Sequence, residues 1–460
     1  MKEFLKTLGI VFLSISSVFL ILLNFGVKPE NIFVEKTKPS GSLIFDSSVI
    51  MADAVMPEYI GVNFQGGKHT VINNPRDSGV WADSIELLKS IFEEKGKIIR
   101  SREIITMDIY KNFLNQESIV LFFNEDITPL TLLNSLGVEE PKDVVEDYED
   151  IKFIYISLIK NFIVIGEKTE LNLLTLDHLE GEDLKKKIDN LFISGYNPYV
   201  LGEEILGFNN PNYFPKISQH KVEIVRFENI LKTLDDHNIE NIVYSFFGKE
   251  VNYIREIKEE GSQTIYVDGS RLLKISEKGL ISYYDPEQPP SKDRNLYISL
   301  ENALAFISNN LGYDGSLYLK EIRPIEIQEN QGFKMTFGKN SKGYKVELLD
   351  DDIVDYIEID VFNEHVRRFS QFFRGEVPGS VSYFEIDQTQ ELRPLIAVNL
   401  NYINDRLFEN PEEYITYEEV LSKIRRAYVV YTDLGEDENL GLAWKVEIDE
   451  EVFYFEIQTN

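Results

Sequence analysis

Residues 8–27 have the sequence LGIVFLSISSVFLILLNFGV, an apolar stretch without a charged residue. Twenty helical residues, at about 1.5 Å of rise each, span roughly the 30 Å hydrocarbon core of a bilayer. A cleaved signal peptide has a shorter apolar core, about 7–15 residues long, that ends at a site of small residues. Here the polar sequence KPENIFVEK follows directly. The stretch therefore predicts a retained transmembrane helix and a single-pass membrane protein.

The predicted helix separates a short tail, residues 1–7, from a remainder that begins with a polar linker, residues 28–41. Lysines flank the helix on both sides, so the flanking charge does not by itself determine the orientation. They are Lys2, Lys6, Lys28, Lys36 and Lys38. A tail this short holds no folded domain and is typical of a signal-anchor. We therefore expect a cytoplasmic tail and a protein of the cytoplasmic membrane with most of its chain extracytoplasmic.

The composition is that of a globular protein with a strongly acidic surface. The 460 residues are 43% hydrophobic and carry a net charge of −31 at pH 7. Because such a surface repels phosphate backbones, we expect no nucleic-acid partner. The chain contains no cysteine. Disulfides, a thiol nucleophile and cysteine-ligated metals are therefore excluded.

The pattern of apolar residues predicts an α+β fold with about three extracytoplasmic domains, each of antiparallel sheets packed with helices. We predict an N-terminal α/β domain at 42–195, a middle domain at 216–290 and a C-terminal domain at 296–460. Residues 196–215, rich in Asn, Pro and Gly, would form a boundary or crossover between the first two. The C-terminal domain is predicted to contain two units, each a helix followed by an antiparallel meander.

Several local patterns predict single elements. Alternating residues on both sides of Gly66-Gly67 predict a hairpin. KVEIVRF at 221–227 predicts one strand. The segments ENILKTLDDH at 228–237 and TYEEVLSKIRRAY at 416–428 predict helices.

The sequence contains no recognisable catalytic motif. The five histidines do not have the spacing of a zinc site, and the glycine-rich and nucleophile-elbow motifs of nucleotide-binding enzymes and hydrolases are absent. We therefore predict a protein that is not an enzyme, with no catalytic residue, no cofactor and no bound metal. Of two acidic runs, 350–352 and 433–439, the second could wrap Ca²⁺, but it lacks the alternating ligands of an EF-hand and is interpreted as a charged turn.

Aromatic residues cluster in two predicted strands. Phe453, Tyr454 and Phe455 lie in the last strand, and Tyr283 and Tyr284 lie in the middle domain. We interpret them as sheet core. A lipid or peptide groove formed by such a sheet is the alternative.

The predicted membrane helix carries a polar stripe. Ser14, Ser17 and Asn24 are spaced at i, i+3 and i+10, which places them on one face. Small and polar residues let membrane helices approach closely and hydrogen-bond. We predict that this face binds partner helices. The alternative is that an anchor tolerates serine anywhere and that Asn24 lies at the membrane interface.

Several stretches resemble the YycH family of Gram-positive bacteria. They are VNFQGGKHTV before a Trp-bearing helix, SIVLFFNEDITPLTLLNSL, TIYVDGSRLLKISEKGLISYYDP, and ENALAFISNNLGYDG before GFKMTFG. The resemblance covers most of the chain, including the membrane helix. The C-terminal LGLAWKVEIDEEVFYFEI also resembles the companion family YycI and PepSY-like modules.

The resemblance implies a regulator without enzymatic activity. Members of the family are anchored in the cytoplasmic membrane with their bulk outside the cell. They act with YycI on the WalK (YycG) sensor histidine kinase, which controls cell-wall metabolism, partly through their transmembrane helices. We thus expect a sensor kinase of WalK (YycG) type and a YycI-like companion as partners. The alternatives are an envelope-anchored enzyme or enzyme inhibitor with a PepSY-like module, and a lipid- or peptide-binding receptor.

Overall fold

A computed structural model describes residues 52, 55–76, 78–93, 99–123, 128–138, 148–220, 222–248, 254–259, 263–287, 289, 291–311, 316–348, 355–377, 379–408, 413–432 and 440–458. The predicted tail, membrane helix and linker lie outside these residues. Within the described ranges, no helix is long and apolar enough to cross a membrane.

The first half of the chain forms an antiparallel sheet. Its strands are β1 (Tyr59–Phe64), β2 (Lys68–Ile72), β3 (Ile99–Ile104), β4 (Ser118–Phe122), β5 (Phe153–Ser157), β6 (Phe162–Gly166), β7 (Leu171–Leu176), β8 (Tyr199–Leu201) and β9 (Tyr213–Pro215). They are ordered β3-β7-β6-β5-β4-β1-β2-β8-β9. The predicted hairpin connects β1 and β2, and Gly66 and Gly67 both adopt positive φ there, 83° and 70°. Glycine takes this conformation without a steric penalty.

Helices cover both faces of the first sheet. They are α1 (Val80–Phe92), α2 (Met107–Leu114), α3 (Pro129–Ser135), α4 (Glu182–Ser194) and α5 (Gly202–Leu206). Helices α1, α3 and α4 bury their apolar faces in one core with the sheet, whereas Tyr110 and Leu114 of α2 are buried on the opposite face. Both faces of the central strand β4 are therefore buried.

The second half of the chain forms a larger sheet. Its strands are β12 (Arg255–Glu259), β13 (Gln263–Asp268), β14 (Arg271–Ser276), β15 (Leu280–Tyr284), β16 (Leu317–Ile327), β17 (Asn330–Ser341), β18 (Tyr344–Glu347), β19 (Ile357–Phe362), β20 (His365–Phe372), β23 (Ile424–Thr432), β24 (Gly441–Ile448) and β25 (Glu451–Glu456). The order is β12-β13-β14-β15-β20-β19-β17-β18-β23-β24-β25, and β16 pairs with β17. Two small ladders stand apart from it, β10 (Val222–Ile224) with β22 (Ser382–Phe384) and β11 (Phe227–Asn229) with β21 (Arg374–Glu376).

The remaining helices pack on the second sheet and between the sheets. They are α6 (Asp236–Phe247), α7 (Leu296–Leu311), α8 (Leu392–Val398), α9 (Leu400–Leu407) and α10 (Tyr417–Lys423), with 3₁₀ turns at Ile217–Gln219, Ile230–Thr233 and Gln388–Gln390. Helix α7 contacts α3 of the first half. One apolar core accordingly includes Leu88 of α1, Leu133 of α3 and Leu304 of α7.

Strand β17 joins two branches of the second sheet. Its residue Met335 pairs with β16 on one edge and with β19 on the other. Its residue Lys339 pairs with β16 on one edge and with β18 on the other. Strand β18 then pairs in parallel with β23, so the two predicted helix-plus-strand units share hydrogen bonds.

Two helix predictions are wrong in extent. Residues 228–237 do not form one helix, because Asn229 caps a short 3₁₀ turn and Asp235 caps α6, which begins at Asp236 and buries Phe246 and Phe247. The helix predicted at 416–428 ends at Lys423. The residues after it alternate in burial and form β23, whose β-branched and aromatic side chains favour a strand.

The prediction of one strand at 221–227 is also wrong. The segment belongs to the two short strands β10 and β11, each of which pairs with a partner about 150 residues later in the chain. Residues 196–215 contain β8, α5 and β9 and extend the first sheet. The predicted domain boundaries remain predictions, although strands on both sides of 290–296 belong to one sheet.

Candidate functional site at the junction of the two sheets

The sequence-predicted partner face cannot be located among the described residues. Ser14, Ser17 and Asn24 lie outside the described ranges, as do the acidic runs 350–352 and 433–439. In the part of the chain that the structure does describe, no three acidic or histidine side chains are grouped as metal ligands would be.

Two histidines lie in the core. The His69 ring donates from Nδ1 to Oδ1 of Asn63 at 2.8 Å, because an amide oxygen can only accept, and the same oxygen also accepts from the Tyr213 hydroxyl at 2.8 Å. His220 Nε2 lies 2.8 Å from the backbone oxygen of Pro198. Burial lowers the pKa of both His69 and His220 from 6.5 to about 4. Both rings are therefore neutral at physiological pH and act as hydrogen-bonding core residues.

Three of the five aromatic strand residues, Phe453, Phe455 and Tyr283, are buried, as predicted for core residues, whereas Tyr454 and Tyr284 are only half-buried. The rings of Phe453 and Phe455 stack with centroids 6.2 Å apart, and Tyr402 of α9 meets them edge-on. Tyr283 packs against Phe306 of α7, with centroids 5.5 Å apart.

The structure shows a site that the sequence did not predict, a row of charges, most of them buried, where the first sheet meets β18. Lys345 and Glu347 are two residues apart on β18 and so point to the same face. The intervening Val346 points into an apolar core on the other face. We call the charged residues on this face the charged seam: Glu58, Lys320, Lys345, Glu347, Asp355, Arg426 and Lys445.

At one end of the seam, Glu58 connects the two sheets. Its carboxylate, directly before β1, is in contact with the Lys345 ammonium, and its second oxygen lies 3.6 Å from Arg426 of β23. The Glu58 side chain is only 4% exposed and that of Lys345 12%. Burial lowers the pKa of Lys345, whereas the carboxylates of Glu347 and Glu58 favour its ammonium form.

At the other end of the seam, Glu347 is held by strands β24 and β25. Both of its oxygens accept from Lys445 Nζ, at 2.7 and 2.6 Å, and one accepts from the Tyr454 hydroxyl at 2.6 Å. Burial alone would raise the pKa of Glu347, but the ammonium groups of Lys445 and Lys320 outweigh it and hold the pKa below its ordinary value. A polar cavity of about 130 Å³ adjoins these groups.

The charges of the seam are paired. Each of these ammonium, guanidinium and carboxylate groups lies against an oppositely charged partner. Removing one partner from a buried ion pair is costly, because the other charge stays buried and uncompensated. The seam therefore favours one relative arrangement of the first sheet and the β18-β23-β24 strands. The alternation of charged and apolar residues at Lys345, Val346 and Glu347 is typical of a strand with one charged face. Glu58, however, is too distant in sequence for this pattern to predict its ion pair with Lys345.

A second feature of the surface is an open groove of about 680 Å³ between α6 and strands β12 to β14. The floor of the groove includes Ile254, which directly precedes β12, Glu256 and Lys258 of β12, and Tyr266 of β13. Charged and apolar side chains are mixed along it.

These elements define an α+β protein of large antiparallel sheets with helices packed on them. The fold is similar to the crystal structure of YycH from Bacillus subtilis, with a TM-score of 0.52 and 10% sequence identity over 88% of this chain and 96% of that one. No protein-family profile matches the sequence, and no curated protein matches it. The YycH-like fold predicted from the sequence is thus confirmed.

Proposed function

We propose that this protein is a membrane-anchored, extracytoplasmic regulator of a two-component system that acts without catalysis. The observation that carries the proposal is the similarity of fold to YycH over nearly the whole length of both chains. In this proposal the protein modulates a sensor histidine kinase of WalK (YycG) type that controls cell-wall metabolism. It acts together with a YycI-like companion, a family that its C-terminal sequence also resembles.

The proposed mechanism begins at the predicted membrane helix. Ser14, Ser17 and Asn24 would form contacts with partner helices that differ between two states of the kinase. A regulator shifts such an equilibrium only through contacts that favour one state over the other. In this proposal the ectodomain would bind the companion.

The test is cross-linking from the membrane helix of the full chain. A photoreactive residue at position 13 or 20, beside the polar stripe, is expected to capture the kinase and the companion in native membranes. Capture of an envelope hydrolase, or of lipid alone, would instead support the alternatives, an enzyme inhibitor or a lipid receptor.

Replacing Ser14, Ser17 and Asn24 together by Leu is expected to reduce capture and to change kinase output. Ser16→Leu is the matched control, because this serine lies on a different face of the same helix. If the triple variant and the control give the same capture and the same kinase output, the stripe does not bind partners.

A further inference from the structure

The strand β12 ends the second sheet, and its outer edge is free of any strand that the structure describes. It pairs with β13 on one side only, and no other described strand lies beyond it. Four of its five residues are exposed, and Ile257 is half-buried. A free edge presents unpaired backbone groups that can pair with another strand.

The charges of β12 are self-complementary in one register. The strand has the sequence REIKE from Arg255 to Glu259. In an antiparallel pair with a second copy, centred on Ile257, Arg255 lies opposite Glu259 and Glu256 lies opposite Lys258. Opposite charges directly across a strand pair are favourable, and like charges are unfavourable.

Neighbouring registers lack this match. In a symmetric antiparallel pair, the two-fold axis lies between one residue and the same residue of the other copy. Each possible register is therefore defined by the residue at this central position. Centring on Glu256 places two glutamates face to face, and centring on Lys258 places two lysines face to face. A parallel pair in register opposes every charge to itself. The sequence therefore selects a single symmetric pairing.

The surroundings of β12 agree with this pairing. Glu256 and Lys258 form the floor of the open groove beside α6, and their side chains already lie 3.2 Å apart. A second strand would extend that floor and set two such pairs next to each other with alternating charge. On the other face, Ile257 lies opposite Ile265 of β13, so its copy would extend an apolar row.

We propose that β12 binds β12 of a second copy of this chain, antiparallel and centred on Ile257. The second sheets of the two copies then form one continuous sheet. A five-residue pair buries far less than the roughly 1,200 Å² of a stable protein interface. The association is therefore weak in dilute solution and is strengthened where chains share a membrane, by the effect of local concentration. This inference goes beyond the proposed function and does not depend on a kinase, but it rests on the proposed membrane anchor, which supplies the local concentration.

Cysteine cross-linking of the full chain in membrane vesicles tests the register. The chain has no native cysteine. Ile257→Cys places two thiols directly opposite each other, within the Cα separation of about 4.4–6.8 Å that a disulfide needs. Arg255→Cys or Glu259→Cys alone places the copies four residues apart, roughly 13 Å along the strand. We expect Ile257→Cys to form a disulfide-linked dimer, the two single controls not to do so, and a mixture of the two controls to cross-link.

Charge reversal tests the pairing independently. On the Ile257→Cys background, Glu256→Lys or Lys258→Glu is expected to lower the dimer yield by roughly tenfold, because two favourable pairs become two unfavourable ones. The double variant, or a mixture of the two single variants, is expected to restore it. The residues are exposed, and unchanged circular dichroism would show that each variant is folded.

Cross-linking that is equal at positions 255, 257 and 259, or that is insensitive to charge reversal, would overturn the proposal. Either result would show that the copies do not pair through β12 and that any dimer forms elsewhere, for example through the membrane helix. Failure of the charge swap to restore the yield would overturn the register even if the Ile257→Cys variant cross-links.

Discussion

Glu58 and Lys345 form an ion pair across the junction of the two large sheets, with both side chains almost completely buried. Arg426 adds a second cation 3.6 Å from the Glu58 carboxylate. Glu58 directly precedes the first strand of the first sheet, and Lys345 lies in the second sheet. The ion pair therefore makes the packing of one sheet on the other sensitive to a single charge.

Removal of the Lys345 charge tests this sensitivity. Lys345→Met is expected to lower the free energy of unfolding by about 3–5 kcal/mol, because the Glu58 carboxylate stays buried with a single, more distant cation. Glu58→Gln combined with Lys345→Met should be less destabilising than Lys345→Met alone. Denaturant unfolding of the full chain in detergent, followed by fluorescence of the buried Trp81 and Trp444, measures both.

Lys342→Met is the control for this substitution. Lys342 lies close to Lys345 in sequence, but it is partly exposed and 3.6 Å from Glu376. An exposed pair contributes about 0–1 kcal/mol. Equal effects of Lys342→Met and Lys345→Met would contradict the role assigned to the seam.

The hydrogen bond from Tyr454 to Glu347 provides the next prediction. Tyr454→Phe keeps the ring but removes a donor to a buried carboxylate, and hydrogen bonds to charged groups contribute about 1.5–3 kcal/mol. We expect a loss of that size in the free energy of unfolding, measured as above. Tyr414→Phe, at an exposed position, should change the stability by only a few tenths of a kcal/mol. A loss no larger than that of the control would show that Lys445 alone satisfies Glu347.

Gly332 is predicted to tolerate no side chain. A Cβ at this position would lie 2.5 Å from the backbone oxygen of Val361 in the neighbouring strand β19. The oxygen cannot move without displacing that strand, so Gly332→Ala should lower the free energy of unfolding by about 1–3 kcal/mol. Gly441→Ala is the matched control in the same sheet, because nothing lies within 4 Å of its Cβ position. Thermal unfolding compares the two, and similar melting temperatures would disprove the close approach.

Local patterns predicted much of the fold. The hairpin at Gly66-Gly67 follows from short-range turn chemistry, which a window of a few residues contains. The helix predicted at 416–428 is too long because its end is not marked locally, and only pairing with β24 shows that Ile424 begins a strand. Long-range pairing was not visible in the local pattern.

The same limit explains the candidate site. Glu58 and Lys345 were ordinary charged residues in the sequence, and only the fold brings them together. The predicted partner face, Ser14, Ser17 and Asn24, lies outside the described residues and stays a prediction. The YycH-like fold was recognised from segments such as GFKMTFG, and the close approach of β19 to Gly332 supplies a physical reason for the first glycine of that segment.

Buried histidines should make the stability depend on pH. The folded-state pKa of His69 and of His220 is about 4, below the unfolded value of 6.5, because burial disfavours the charged ring. The unfolded chain therefore binds protons more readily, and this contribution to stability is present above pH 6.5 and is lost as the pH falls towards 4. At pH 5.5, safely above the isoelectric point near 4.6, each histidine should lower the free energy of unfolding by about 1 kcal/mol relative to pH 7.5.

Replacing either buried histidine by Gln should reduce the difference between the unfolding free energies at pH 7.5 and pH 5.5 by that amount, although the substitution also weakens the fold at both pH values. His237→Gln is the control for the loss of a histidine from the chain, because His237 is exposed in the first turn of α6. A pH dependence that is the same in all three variants would show that the buried rings do not titrate with unfolding.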